Sequence, residues 1–166
     1  DSVFKGHISF NKRFKTECGY PNIADYIKQI FIVSDNYAFN RLYDFLGQKD
    51  LNEKLKHRGF DNTRLMHRLS VSRTPQQNME TNPINFYDEN GDLLYTQPEK
   101  IDSTDIRLKL NKTLKGVGYY SNGVLINEPK DFSDNNFFGL RDQHELLIRV
   151  MMPSLFNQDQ QFNLTD

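Results

Sequence analysis

Two apolar runs of helical spacing, separated by only three small polar residues, constrain this chain more than any other feature. In the stretch IFIVSDNYAFNRLYDFLG, residues 30–47, one apolar run stops at Ser34-Asp35-Asn36 and another begins almost at once. On both sides, apolar residues recur at the i, i+3, i+4 spacing of a helix with one buried face. We therefore predict helices over residues 22–33, 37–46 and 49–58. The residues expected to share one core are Ile27, Ile30, Leu42, Leu46 and Leu55.

The second half of the chain carries different signals. Asn90-Gly91 lies between two apolar runs, which predicts a β-hairpin over residues 84–96. Asp88, Asn90 and Asp92 resemble the start of a calcium loop, but the rest of that motif is missing, so we interpret them as a turn. The segment GVGYYSNGVLIN, residues 116–127, is predicted to be extended. A final helix fits LRDQHELLIRVMMP, residues 140–153, with Asp142 and Glu145 spaced as in a capping box.

Composition narrows the function classes. The net charge is −1 over 166 residues, which provides no electrostatic footprint for nucleic acid. The apolar runs are too short to span a bilayer. Cys18 is the only cysteine, so no internal disulfide and no cysteine-based metal cluster can form. The four histidines show no pairing at metal-ligand spacing, and we predict neither a metal nor a cofactor.

A Ser-Asp-Asn tripeptide at a helix joint has a simple structural interpretation. All three residue types cap helix N-termini by accepting backbone N–H bonds. The surrounding residues suggest more, because NIADYIKQIFIVSDNYAFNRLYDFLG, residues 22–47, resembles the helix–loop–helix of class A β-lactamases and related penicillin-recognising serine hydrolases. The residues that match in register are Val33, Ser34, Asp35, Asn36, Ala38, Asn40 and Leu42. The resemblance continues to Thr63-Arg64-Leu65 and, more faintly, into the final helix.

The resemblance implies a role for each residue of the tripeptide. Acyl transfer needs a nucleophilic serine, a proton carrier and donors for the developing oxyanion. Ser34 would relay a proton toward the leaving amide nitrogen. Asn36 would hydrogen-bond the substrate's amide and a catalytic lysine. Asp35 would fix the loop by bonding inward to the backbone, which is a structural role.

Other elements of that family are weakly matched or missing. A Ser-x-x-Lys pair occurs at Ser2–Lys5 and at Ser9–Lys12, but neither precedes a long apolar helix. Lys112-Thr113-Leu114 lacks the glycine of a Lys-Thr-Gly strand, and we reject it. Counting from Thr63 without a gap, the position of the family's deacylating glutamate is Leu69. Glu80 could replace that acid only if the loop were longer. Without the acid, an acylated serine stalls, as in a penicillin-binding protein.

These observations favour a mainly α chain with a β-hairpin, of the α+β class. By the resemblance, it is the helical domain of a serine β-lactamase-like fold without most of its sheet, a single partial domain over residues 1–166. We expect an acyl-amide substrate (a β-lactam or a peptidoglycan peptide), an inactive fragment, and a periplasmic or other extracytoplasmic location. Two alternatives stay open at this point: a noncatalytic binding domain on the same scaffold, and an unrelated helical protein whose Ser-Asp-Asn only caps a helix.

Overall fold

The computed structural model describes residues 21–106 and 109–162. Within these ranges the chain forms five α-helices and one short 3-10 helix over Pro153–Leu155. The α-helices are α1 (Ile23–Val33), α2 (Asn36–Leu46), α3 (Gln48–His57), α4 (Pro75–Met79) and α5 (Leu140–Met151). The three predicted N-terminal helices and the predicted final helix are confirmed to within two residues at each end. The short helix α4 was not predicted.

Ten short strands pair in five two-stranded antiparallel ladders in the part of the chain that the structure describes. The strands are β1 (Thr63–Arg64), β2 (Glu80–Thr81), β3 (Ile84–Tyr87), β4 (Leu93–Gln97), β5 (Lys100–Ile101), β6 (Leu114–Lys115), β7 (Tyr119–Ser121), β8 (Val124–Ile126), β9 (Lys130–Asp131) and β10 (Phe137–Phe138). The pairs are β1 with β10, β2 with β5, β3 with β4, β6 with β9 and β7 with β8. The fold is therefore mixed helix and strand, and the prediction of one hairpin is incomplete.

The chain groups into two compact units. Among the described residues, the first unit joins residues 21–51 with Met66–Thr104, and the second joins Asn52–Leu65 with residues 105–106 and 109–162. The single-domain assignment over residues 1–166 stays a prediction.

In the first unit, α1 packs against α2, and the buried apolar side chains among the described residues are those of Ala38, Tyr43 and Met66. The predicted shared core is wrong for Ile27, whose side chain is 42% exposed. Leu55 falls in the second unit, where Phe60 is the one buried apolar side chain among the residues that the structure describes.

The hairpin of β3 and β4 turns where the sequence predicts. The carboxylate of Asp88 accepts hydrogen bonds from the backbone N–H groups of Asn90 and Asp92, both at 2.9 Å. The backbone N–H of Asp92 holds the pKa of the Asp88 carboxyl below its usual value. No group of three or more His, Cys, Asp or Glu side chains that could hold a metal occurs in residues 21–106 and 109–162. The predicted turn of the hairpin is confirmed.

A second hairpin, formed by β7 and β8, lies in the segment predicted to be extended. Asn122 and Gly123 connect the strands with φ values of 50° and 80°. Positive φ at both central residues is the geometry of a type I′ turn, for which Asn-Gly is the preferred sequence. The extended prediction is confirmed, and the strands form a tight antiparallel pair.

The N-terminus of α5 differs from the predicted capping box. Gly139 is the N-cap residue, and it has no side chain to make a cap. A Cβ atom at this position would lie 2.9 Å from the backbone oxygen of Asn62, so only glycine allows the segments around residues 62 and 139 to approach this closely. The Asp142 carboxylate instead accepts from the N–H of Asn62 and the hydroxyl of Thr63, both at 2.8 Å. The capping-box prediction is wrong because a distant segment takes the carboxylate.

Candidate functional site

The joint between α1 and α2 holds Ser34 in a left-handed backbone conformation. Its φ and ψ are 52° and 43°, and its side chain is exposed. Its backbone N–H donates to the Ile30 carbonyl at 3.0 Å, and the next N–H, that of Asp35, donates to the Gln29 carbonyl at 3.3 Å. A non-glycine residue keeps this conformation only where its surroundings enforce it. The joint therefore presents the Ser34 side chain to solvent from a backbone tied to the end of α1.

Asp35 is the N-cap residue of α2. Its carboxylate accepts from the backbone N–H of Ala38 at 2.8 Å, and its side chain is half-buried. This bond satisfies one of the N–H groups that a helix start leaves without an intrahelical partner. The arrangement agrees with a structural role for Asp35, and it is expected under both the capping and the hydrolase interpretation.

The first turns of α2 make two contacts to the loop that follows β1. The side-chain amide nitrogen of Asn36 donates to the hydroxyl oxygen of Ser70 at 2.7 Å. One turn further on, Asn40 donates to the carbonyl of Leu69 at 2.9 Å and accepts from its N–H at 2.7 Å. Asn40 therefore forms hydrogen bonds with both the N–H and the carbonyl group of Leu69, which fixes the backbone there.

A third contact, one more turn along α2, is a buried ion pair. The Arg68 guanidinium donates to one carboxylate oxygen of Asp44 through Nε at 2.9 Å and through Nη2 at 2.5 Å. Both residues are 6% exposed. Arg68 also donates to the carbonyls of Gln77 at 3.0 Å and Glu80 at 2.7 Å. We call the three contacts of Asn36, Asn40 and Asp44 with residues 68–70 the α2 ladder.

Tyr43 supports the ladder from the same helix. Its ring is 1% exposed and lies under the Arg68 guanidinium, 5.1 Å from it. Its hydroxyl lies 3.2 Å from the carbonyl oxygen of Met66 and 3.0 Å from that of Asn78. Burial raises the pKa of Tyr43 to about 12. The phenol is therefore a neutral hydrogen-bond donor inside the first unit.

The two positions considered for the deacylating acid, Leu69 and Glu80, lie in different segments of the first unit. Leu69, which gapless counting puts at the acid's position, is the residue that Asn40 grips by its backbone. Glu80 lies in β2, and its carboxylate accepts from the side-chain amide of Gln76 at 3.0 Å. An apolar side chain thus follows Arg68 on the α2 ladder, and Glu80 is bonded within the α4–β2 segment instead.

The candidate nucleophile–lysine pairs cannot be placed. Ser2, Lys5, Ser9 and Lys12 all lie outside the described residues.

A second Ser-Asp-Asn of the chain, at residues 133–135, forms a turn before α5. Two backbone carbonyl groups of this turn accept hydrogen bonds from the buried side chain of Arg64. The guanidinium of Arg64 donates to the carbonyl of Ser133 and, at 3.1 Å, to that of Asn135. No helix leads into this copy, so it provides a natural control for the first.

Ser70, Arg68 and the contact of Asn40 with Leu69 were not predicted from the sequence. One signal was present: Asn36, Asn40 and Asp44 recur every four residues on a helix that is otherwise rich in apolar and aromatic side chains. Residues at i, i+4 and i+8 line one helix face, so a polar stripe there predicts a polar partner segment. The partner itself could not be identified from spacing.

Comparison with known proteins agrees with the resemblance. The search of curated proteins and the search of solved structures returned no match. The model of the beta-lactamase enzyme family, Beta-lactamase2, matches residues 11–162. This match spans both Ser-Asp-Asn copies, the whole α2 ladder and α5. The chain therefore belongs to the beta-lactamase enzyme family.

Proposed function

We propose that this chain is the helical, Ser-Asp-Asn-bearing part of a β-lactamase-like serine hydrolase that acts on acyl-amide substrates. The substrate would be a β-lactam or a peptidoglycan peptide, and the compartment would be the bacterial cell envelope. The observation that carries the proposal is the exposed residue Ser34 on a joint whose backbone is held by hydrogen bonds to the end of α1. The family match over residues 11–162 supports it.

The proposed roles follow from what each side chain can do. Ser34 relays a proton to the leaving amide nitrogen, which requires a hydroxyl that reaches solvent or substrate. Asn36 hydrogen-bonds the substrate's amide. Asp35 holds the joint through its bond to Ala38. A fixed backbone suits this work because catalytic donors and acceptors act best when they need no reorganisation.

The leucine at the position of the family's deacylating glutamate favours formation of an acyl-enzyme over its hydrolysis. Hydrolysis of an acyl-enzyme needs a base that activates water. Leu69 has no titratable group, and its backbone is held in place by Asn40. We therefore propose that the acyl-enzyme of such a hydrolase would be long-lived, as in a penicillin-binding protein. The nucleophilic serine would lie outside the described residues.

The apolar Leu69 also favours the second candidate function, a noncatalytic module that binds the same ligands. The two candidates agree that a ligand contacts the joint of α1 and α2. They differ in whether a covalent bond to a serine forms.

A binding experiment tests the shared part. Benzylpenicillin is added to the ¹⁵N-labelled chain, and the backbone amide signals of residues 34–36 and 133–135 are followed by NMR. We expect shifts at residues 34–36 that weaken in a Ser34→Ala variant. Ser133→Ala is the matched control, since it changes the serine of the other Ser-Asp-Asn, and should leave the titration unchanged. Shifts confined to residues 133–135, or no shift at residues 34–36, would reject the proposal.

A further inference from the structure

Ser70 has an unusual backbone for a serine. Its φ is 55°, although nothing about a serine side chain favours the left-handed region, where glycine and asparagine are the usual residues. Among the described residues, four non-glycine residues have positive φ, and two of them are Ser34 and Ser70. Ser34 precedes Asn36 by two positions, and Ser70 is hydrogen-bonded to it. Both serines with a left-handed backbone therefore lie near Asn36: Ser34 is two residues away in sequence, and Ser70 is its hydrogen-bond partner.

The strain at Ser70 is enforced by its neighbour. Both backbone groups of Leu69 are bonded to Asn40, so the chain enters Ser70 along a fixed path. Strained residues persist where the surrounding structure over-determines them, and such residues cluster at functional sites. The result of the strain is a defined position for one hydroxyl, that of Ser70.

That hydroxyl controls the side chain of Asn36. Asn36 is the first residue of α2 and is exposed, so its carboxamide would otherwise rotate freely in solvent. Its nitrogen carries two hydrogens, and one of them is directed to the Ser70 oxygen at 2.7 Å. This single bond sets which way the second hydrogen and the carbonyl oxygen face.

We propose that Ser70 is a positioning residue, whose hydroxyl orients the Asn36 carboxamide for its hydrogen bond to the ligand. The proposal rests on the proposed function for the identity of that ligand. Ser70 acts through Asn36 and not on the acyl group itself. Loss of the hydroxyl should release the carboxamide while α2 and the joint keep their structure.

The test follows the side-chain amide hydrogens of Asn36 by NMR, with no ligand present. In Ser70→Ala their exchange with water should rise about fivefold, the factor that corresponds to one ordinary hydrogen bond. Ser70→Gly removes the same hydroxyl but relieves the backbone strain, so it tests the proposal even if the alanine variant folds poorly. Ser72→Ala, an exposed serine of the same loop, is the matched control and should leave the Asn36 exchange rate unchanged.

A structural role alone would give a different result. It would lower the melting temperature of Ser70→Ala and perturb the Leu69 amide, with the Asn36 exchange rate unaltered. An Asn36 exchange rate that is the same in the wild-type chain and in both Ser70 variants would overturn the proposal.

Addition of benzylpenicillin separates this proposal from the proposed function. If the ligand shifts the Asn36 carboxamide signals of the wild-type chain, Ser70→Gly should need about fivefold more ligand for the same shift. If the ligand shifts nothing but the Ser70 variants still release Asn36, the positioning role stands and the proposed function fails. If the ligand shifts the wild-type signals and Ser70→Gly responds identically, the positioning role fails and the proposed function stands.

Discussion

At the scale of single residues, Ser34 and Asp35 are neighbours in opposite environments. The Ser34 side chain is exposed, whereas the Asp35 carboxylate is half-buried and bonded to the N–H of Ala38. Asp35→Ala should therefore lower the free energy of unfolding by about 1–2 kcal/mol, as the loss of an N-cap does. Ser34→Ala should change it little, and Asn36→Ala, which loses the bond to Ser70, should lie between them. Thermal melts of the three variants give the order.

The left-handed backbone of Ser34 provides the control for that series. Ser34→Gly relieves the strain and should stabilise the chain by about 1 kcal/mol, while it removes the same hydroxyl as Ser34→Ala. A Ser34→Ala cost equal to or above that of Asp35→Ala would mean that the hydroxyl serves the fold. The hydrolase interpretation of the joint would then be wrong.

Tyr43 makes stability depend on alkaline pH. Its pKa is raised from 10.0 to about 12 because burial disfavours the phenolate, so above pH 10 the unfolded chain releases this proton before the folded chain does. The folded state then binds more protons, and stability falls as the pH rises from 10 to 12. The loss should be about 2–3 kcal/mol. Urea unfolding of the wild-type chain and of Tyr43→Phe measures it, because the phenylalanine variant should lose less over the same interval. Equal slopes would contradict the assignment.

At the scale of secondary-structure elements, the α2 ladder fastens residues 68–70 to one helix face. Its buried rung, Asp44 with Arg68, should dominate the energetics. Asp44→Ala leaves a guanidinium that is 6% exposed without its carboxylate, and we expect a cost of about 3–5 kcal/mol in urea unfolding.

The ion pair of Asp50 with Lys100 provides the comparison for that rung. Its two atoms are 2.9 Å apart, but the Asp50 side chain is 49% exposed. Solvent screens such a pair, so Asp50→Ala should cost about 1 kcal/mol or less. Equal costs for the two variants would show that burial does not decide the strength of the ladder.

The elements that the sequence predicted correctly are those with local causes. Apolar spacing predicted α1, α2, α3 and α5, and Asn90-Gly91 predicted the turn between β3 and β4. The two-residue strands could not be predicted, because each depends on a distant partner. Thr63 pairs with Phe138, for example, and neither residue has an alternating pattern around it. The same holds for Asp142, whose carboxylate bonds the backbone of Asn62 instead of capping its own helix.

At the scale of the whole molecule, the part of the site that is local in sequence was predicted, and the part that depends on a distant contact was not. The Ser34-Asp35-Asn36 joint is a local feature of two helices, and its register identified the family that the family model also matches. Ser70 is different. Its contact with Asn36 joins residues 34 positions apart in sequence, through a loop with no periodic pattern.

Within residues 21–106 and 109–162, no helix is long and apolar enough to cross a bilayer.

Covalent labelling by a fluorescent penicillin tests the chemistry of the chain as a whole. Acylation needs a serine activated by a nearby base, which in this family is the lysine of Ser-x-x-Lys. No Ser-x-x-Lys occurs in residues 21–162, and the sequence that directly follows Ser2–Lys5 and Ser9–Lys12 has no long apolar run of helical spacing. We therefore expect no labelled band after denaturing electrophoresis, with a known penicillin-binding protein as the positive control. A covalent adduct on Ser2 or Ser9, located by mass spectrometry, would contradict this expectation. It would identify the nucleophile within this chain, and the slow deacylation proposed from Leu69 could then be measured directly as the decay of that adduct.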